Sequence, residues 1–292
     1  MSKEPERKTA ALQAYSDALH ELDKAVCEAM AVSQATATRY ETPAIGTATH
    51  VFARVCAHSQ HLIRASPKSR WVRREYELWD ISAIAPHARS ILEGCVLFRY
   101  LIDAPSDLDT QRTYINVLHL YDCKKRISIL PHILPADEIA QFKELLKELR
   151  ARLEKSSYFN SLDAKIKRRL LNGDIMMTKP RAEVLSLLGV APHEHDFYWN
   201  YLSQYTHVLA FSFHRIETNG RGTGLENDFD RTALTMVLDF VARIMSRSID
   251  RMVQAFPDAA SSRQGVQSKF SPGPRSNLPR SVKRRFSRRG RP

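Results

Sequence analysis

Apolar residues recur every three or four positions along most of the chain, which is the spacing of one helix face. Leu12, Tyr15, Leu19, Leu22 and Val26 define a first helix. Val51, Val55, His58 and Leu62 define a second, after a break at Pro43 and Gly46. Tyr114, Val117, Leu118 and Tyr121 mark a helix that must end before Pro131. Ile139, Phe142, Leu145, Leu146, Leu149 and Leu153 mark another, opened by Pro135 as proline opens helices. Ala233, Val237, Phe240, Val241 and Ile244 define the last long one. Between Trp71 and Asp103 the pattern predicts one long hydrophobic helix or two stacked ones, with Pro86 imposing a kink or restart. Only Gly94 falls between Gly46 and Gly173, and no Asn-Gly or Asp-Gly pair separates alternating runs. Hairpins are therefore not signalled. The expected fold is all-α. It is a single bundle of roughly seven to nine helices over residues 41–256, preceded by an N-terminal helix within 1–40 and followed by a disordered basic tail, 257–292.

The net charge of +12 belongs to that tail. Residues 263–292 hold ten Lys or Arg and no acid, whereas residues 1–262 balance to +2. A polyanion partner is accordingly expected for the tail alone. Arg280, Lys283, Arg284, Arg285, Arg288, Arg289 and Arg291 are the candidate nucleic-acid contacts, with Phe270 and Phe286 available to stack on bases. Ser, Pro, Gly and Arg dominate from Pro257 onward, a composition that reads as disorder.

Cys27, Cys56, Cys95 and Cys123 lie far apart, with no CxxC pair, and read as buried free thiols of a reducing compartment. The mixed-charge N-terminus is no secretory signal. The longest uncharged stretch, Phe197 to His214, is too polar to span a bilayer. A cytoplasmic protein without a membrane partner follows. His193 and His195 fall in a loop after Pro192 and no HExxH is present, so neither a metal site nor a cofactor is expected. Gly220, Gly222 and Gly224 form a loop that follows a helix instead of a strand, which argues against phosphate binding.

Two polar stripes carry the candidate chemistry. Over residues 196–217 an apolar face (Leu202, Tyr205, Leu209, Phe213, Ile216) accompanies a polar one (Asn200, Ser203, His207, His214, Glu217), as on one continuous helix. Ser203 and His207 stand four apart and face each other. In the apolar run from Ile81 to Leu97, Arg89 and Glu93 also stand four apart, and charges there need partners. Arg89, Glu93, Ser203 and His207 are the candidate site, either a structural ion-pair cluster or the lining of a cleft.

The segments His87-Ala-Arg89-Ser-Ile-Leu-Glu93, Leu188-Gly189-Val and Tyr201-Leu-Ser203-Gln-Tyr205-Thr-His207 resemble domain-of-unknown-function family 5677. The resemblance spans roughly residues 45–250. It implies a bacterial, all-helical protein with those four residues at family-like positions, and it implies no activity. A more distant similarity is to HEPN domains, helical bundles common in toxins, defence systems and RNA-cleaving enzymes, whose ribonuclease members carry an Arg-x(4–6)-His motif. That pattern occurs at Arg54…His61, Arg112…His119 and Arg126…His132, as often as chance supplies. Val55, Thr113 and Ile127 stand where the motif has a polar residue. The leading expectation is an uncharacterised helical protein with a polar cleft and a tail for weak, nonspecific nucleic-acid binding. The alternatives are a metal-independent, HEPN-like ribonuclease with His207 as acid/base and Arg89 on the phosphate, and a structural subunit with a homo-oligomeric or protein partner.

Overall fold

The structure, a computed structural model, describes residues 3–279 apart from 38, 40, 215, 218 and 219. Among these residues there are eleven α-helices, three short 3-10 turns and no strand, so the all-helical expectation holds. The helix number exceeds seven to nine because the long periodic runs are joined by short helices, of which Ser157–Ser161 and Ala210–Phe213 are single turns. The described residues fall into two compact units, the first within 3–37, 49–98 and 185–279 and the second within 39–48 and 99–184.

In the first unit, α1 (Lys3–Ala35) lies along α11 (Asp228–Ala255). The N-terminal helix is therefore a core element and not an appendage. Leu22, Val26 and Val32 on α1 and Val237, Val241 and Ile244 on α11 are fully buried, and Ala25 and Ala29 leave room for close approach of the two backbones. The sequence pattern did not mark Arg231, on the first turn of α11, which is 1% exposed. Its charge is met by Asp228 at 2.6 Å and Glu226 at 3.0 Å, as a buried charge requires. Helices α2 (Pro43–Ala65) and α3 (Ala85–Ile102) supply the rest of this core. Residues 72–80 are not helical, and Pro86 sits in the first turn of α3. The proline thus starts a helix where the sequence allowed either a kink or a restart.

The second unit is a smaller stack in which α4 (Leu108–Ile129) packs on α5 (Ala136–Glu154), α6 (Ser157–Ser161) and α7 (Ala164–Leu171). Val117, Leu120, Leu149, Leu153, Phe159 and Leu170 form its core. Asp107 caps α4 through the Thr110 N–H at 2.8 Å and Asp163 caps α7, each satisfying an orphan donor. The Tyr100 and Tyr158 hydroxyls both meet the Thr178 hydroxyl, at 3.1 and 3.0 Å.

The expectation of disorder from residue 257 is corrected over 257–279, which fold back onto the first unit. Arg263 pairs with Glu28 at 2.8 Å and Asp250 at 2.6 Å. Gln34 brackets the backbone of Ser271, accepting from its N–H at 3.1 Å and donating to its carbonyl. Phe270 is fully buried against Trp71, with ring centroids 5.7 Å apart. The buried Asn277 amide donates to the carbonyls of Val266 and Ser268 and accepts from Arg70 at 3.1 Å. A few anchors replace the continuous apolar pattern by which composition recognises order. The tail cations from Arg280 to Arg291 lie outside the described residues.

The four cysteines are free and buried. Burial pushes the Cys56 thiol up to about 12 and raises Cys27 further, with Asp23 beside it adding to the effect. A raised value disfavours the nucleophilic thiolate at neutral pH. No helix among the described residues is long and apolar enough to cross a membrane.

Phe270→Ala is expected to cost about 3–5 kcal/mol, the range for emptying a buried aromatic site. Urea denaturation of the full chain checks this; a loss below about 1 kcal/mol would mean the segment is not anchored as described.

Candidate functional site

Helix α9 (Pro192–Thr206) begins with proline at its first position, where the missing N–H costs nothing. His193 and His195 therefore sit on its first turn and not in a loop; His195 is buried, its Nδ1 3.1 Å from Asp196. Glu194 pairs with Arg243 of α11. The helix ends at Thr206, and the next residues break the single helix expected over 196–217. His207 caps it, Val208 takes φ 52°, and the chain restarts as the single turn α10 (Ala210–Phe213). Leu209, Phe213 and Ile216 are exposed as a result. A left-handed β-branched residue is uncommon. It turns the chain so that the face predicted from spacing never forms as one stripe.

Three of the four candidate residues meet. Arg89 on α3 donates from Nε to Glu93 at 2.8 Å and from Nη1 to the Ser203 hydroxyl of α9. Its guanidinium lies 3.5 Å from the centre of the Trp199 ring, within range of a strong cation–π contact. The side chain is 14% exposed. Ser203 in turn donates to the Trp199 carbonyl. His207 does not join this cluster: its side chain is exposed, and it approaches Ser203 only through its backbone N–H, which donates to the Ser203 carbonyl at 3.1 Å. Arg89 is thus a strut between α3 and α9, its charge already answered on three sides. Presenting it to a phosphate would require breaking those contacts.

The glycine loop is also committed internally. Gly220, Gly222 and Gly224 all have positive φ, which explains glycine at each. The Gly222 N–H, a donor suited to an anion, is taken by the Asp230 carboxylate at 2.8 Å. Gly224 accepts from the Trp79 N–H at 2.8 Å, closing the loop on the first unit.

One cluster escaped sequence reasoning. His58 and His61 of α2 converge on His87 of α3. The Nδ1 atoms of His58 and His87 are 3.4 Å apart, and the His61 and His87 rings stack at 5.2 Å with 19° between planes. A contact between two ring nitrogens requires one to carry a proton and the other to be bare. Burial lowers both His58 and His87 below the ordinary histidine value. The charge of Arg54 and the neighbouring His61 lower His58 further, and His61 and His58 lower His87. Arg54 and His61 are one of the three Arg-x(4–6)-His matches, and the structure brings His58 and His87 to His61 and to each other. The signal was faint: His58 and His61 are recognisable as neighbours on a helix, but nothing in the sequence brings His87 to them. Among the described residues no group of three or more His, Cys, Asp or Glu is arranged to hold a metal ion.

Compared with family models, with curated proteins and with solved structures, the chain gives no match in any of the three.

Arg89→Ala should lower stability by about 1–3 kcal/mol, since it removes a charge-assisted hydrogen bond and the Trp199 contact together. His207→Ala, at an exposed helix end, should change it by less than about 0.5 kcal/mol. Parallel denaturant titrations decide between this arrangement and one in which His207 shares the cluster. A second expectation concerns pH. The folded chain holds His58 and His87 below their usual value of 6.5, so the unfolded chain takes up protons first. Their contribution is whole above about pH 6.5 and is lost as pH falls through the lowered folded values. Melting temperatures measured from pH 7.5 to 5.5 should fall, and fall less in the His58→Gln/His87→Gln variant.

Proposed function

We propose that this chain is a cytoplasmic helical protein that binds single-stranded nucleic acid through its basic C-terminal run. One observation carries the reading: residues 280–292 hold seven Lys or Arg and no acid, on a chain whose first 262 residues are nearly neutral. The anchoring of 257–279 on the first unit supports it, because the run then leaves from a fixed point of a folded body. Such a run releases counterions when it meets phosphates, which makes binding steeply dependent on salt.

A second reading is favoured by the imidazole cluster. Metal-independent RNA cleavage needs a base to take the 2′-hydroxyl proton while that oxygen attacks phosphorus, an acid to protonate the departing 5′-oxygen as its bond to phosphorus breaks, and a cation on the phosphate. His58, His61 and His87 offer the base and the acid, and the exposed Arg54 on the same helix face offers the cation. The HEPN resemblance is to this chemistry. The same role for Arg89 and His207 has less support, since the first is occupied and the second stands apart from it.

One experiment addresses both. Labelled single-stranded RNA is incubated from 50 to 300 mM salt with the full chain, with a chain ending at Pro279, and with His87→Ala. The truncation stops at 279 because a shorter chain would remove Phe270 and Asn277 from the core. The full chain should bind with a log–log salt slope of up to about −5, as expected when seven cations meet a single strand, and the truncated chain should lose most of that slope. Equal slopes for the two would sink the binding reading. RNA cut by the full chain and left whole by a folded His87→Ala would make the protein a ribonuclease; no cutting by either would leave the histidines to structure.

A further inference from the structure

Helix α9 carries two parallel ladders that the proposed function has not used. Phe197, Tyr201 and Tyr205 succeed one another at four-residue spacing, and so do Asp196, Asn200 and Gln204 beside them. The Phe197 and Tyr201 rings are nearly parallel, 10° apart with centroids at 5.5 Å, and stack on one another, which leaves the outer face of Phe197 open. Because Val208 turns the chain back, Phe211 of α10 stands edge-on to two of these rings, at 74° to Tyr201 and 90° to Tyr205. Phe197, Tyr201 and Phe211, with Asp196, Asn200 and Gln204, line a shallow, open groove of about 620 Å³. Phe197 is 48% exposed there.

The chemistry of the groove is that of a nucleobase and not of a phosphate. Flat rings offer stacking faces, carboxamides both donate and accept along a base edge, and a carboxylate accepts from exocyclic amino groups. The residues that line it include one carboxylate, Asp196, and no Lys or Arg. The basic run 280–292 has the opposite endowment, seven cations and Phe286 as its one aromatic residue. Phe270, the other candidate for base stacking in the C-terminal region, is buried against Trp71 and unavailable. Each region lacks what the other has.

We propose that the α9 groove stacks an unpaired base of the single-stranded nucleic acid whose phosphates the basic run holds, with Asp196, Asn200 and Gln204 favouring bases that carry an exocyclic amino group. The proposal rests on the nucleic-acid reading above. Uracil, which has no such group, is the disfavoured base.

The test uses the full chain and three twelve-nucleotide probes: oligoadenylate, oligouridylate and an abasic strand of equal phosphate count. Phe197→Ala is the main variant, because its ring is half exposed, and Gln204→Ala is the second; the melting temperature of each is compared with wild type. Wild type should bind oligoadenylate more tightly than oligouridylate, and the abasic strand least. Phe197→Ala should weaken oligoadenylate binding about ten-fold or more, with an unchanged salt slope and unchanged affinity for the abasic strand. Gln204→Ala should narrow the difference between adenine and uracil. Oligoadenylate bound equally by wild type and Phe197→Ala, or an abasic strand bound as tightly as oligoadenylate, overturns the groove proposal and leaves tail binding intact. If wild type binds no probe, both fall. Adenosine monophosphate as competitor separates a free-nucleotide site from one that acts on strands: displacement at micromolar concentration would overturn the strand assignment.

Discussion

Asp23 on α1 is almost out of water, and a carboxylate so placed must be surrounded by donors. Arg70 reaches it through two nitrogens and the Trp71 indole N–H donates at 2.7 Å. These contacts tie the segment after α2 to the first helix. Arg70 also bonds Asn277, and Trp71 packs on Phe270. One buried charge thereby organises three stretches that are remote in sequence: α1, the turn near residue 70 and the C-terminal segment. The α1–α11 interface supplies the apolar area, and the Asp23 cluster holds the turn near residue 70 and the C-terminal segment against α1.

Polar side chains inside this protein are mostly answered by the protein itself. Arg231 has Asp228 and Glu226, Arg89 has Glu93, Ser203 and Trp199, and the Gly222 N–H has Asp230. Such groups set helix crossings and loop closures, and each is a poor candidate for chemistry because using it would first require undoing it. Two further groups of side chains at the surface are the imidazole cluster between α2 and α3 and the aromatic and amide ladders of α9. In the first, His61 is exposed and His58 and His87 are half-buried; in the second, Asp196, Phe197 and Asn200 are exposed and Tyr201, Gln204 and Tyr205 are half-buried.

The first 262 residues are nearly neutral, and ten cations without an acid are concentrated in the last thirty. Counterion release supplies affinity irrespective of sequence, whereas stacking and amide contacts supply discrimination at small cost in charge. Concentrating the cations at one end leaves the rest of the chain with balanced charge. A body carrying +12 on its own surface would be destabilised by self-repulsion.

The helices and their faces were legible because burial on one side of a helix imposes a three-to-four spacing that no other structure shares. Leu22 and Val26, or Leu149 and Leu153, could be assigned to a core from position alone. Arg89 with Glu93 was legible for a related reason, since charges in an apolar run need partners and the fourth residue along is within reach. What the spacing missed was everything that depends on a single backbone angle or on a contact between distant segments. Val208 at φ 52° breaks the expected stripe between His207 and His214, and no residue pattern announces it. Phe270 and Asn277 order a segment whose composition reads as disordered, because order there comes from a few anchors and not from a repeated face. His87 meets His58 and His61 only once α2 and α3 are packed. Periodicity records which side of an element is buried; it holds no information on which distant element does the burying, and it is that choice that assembles a site.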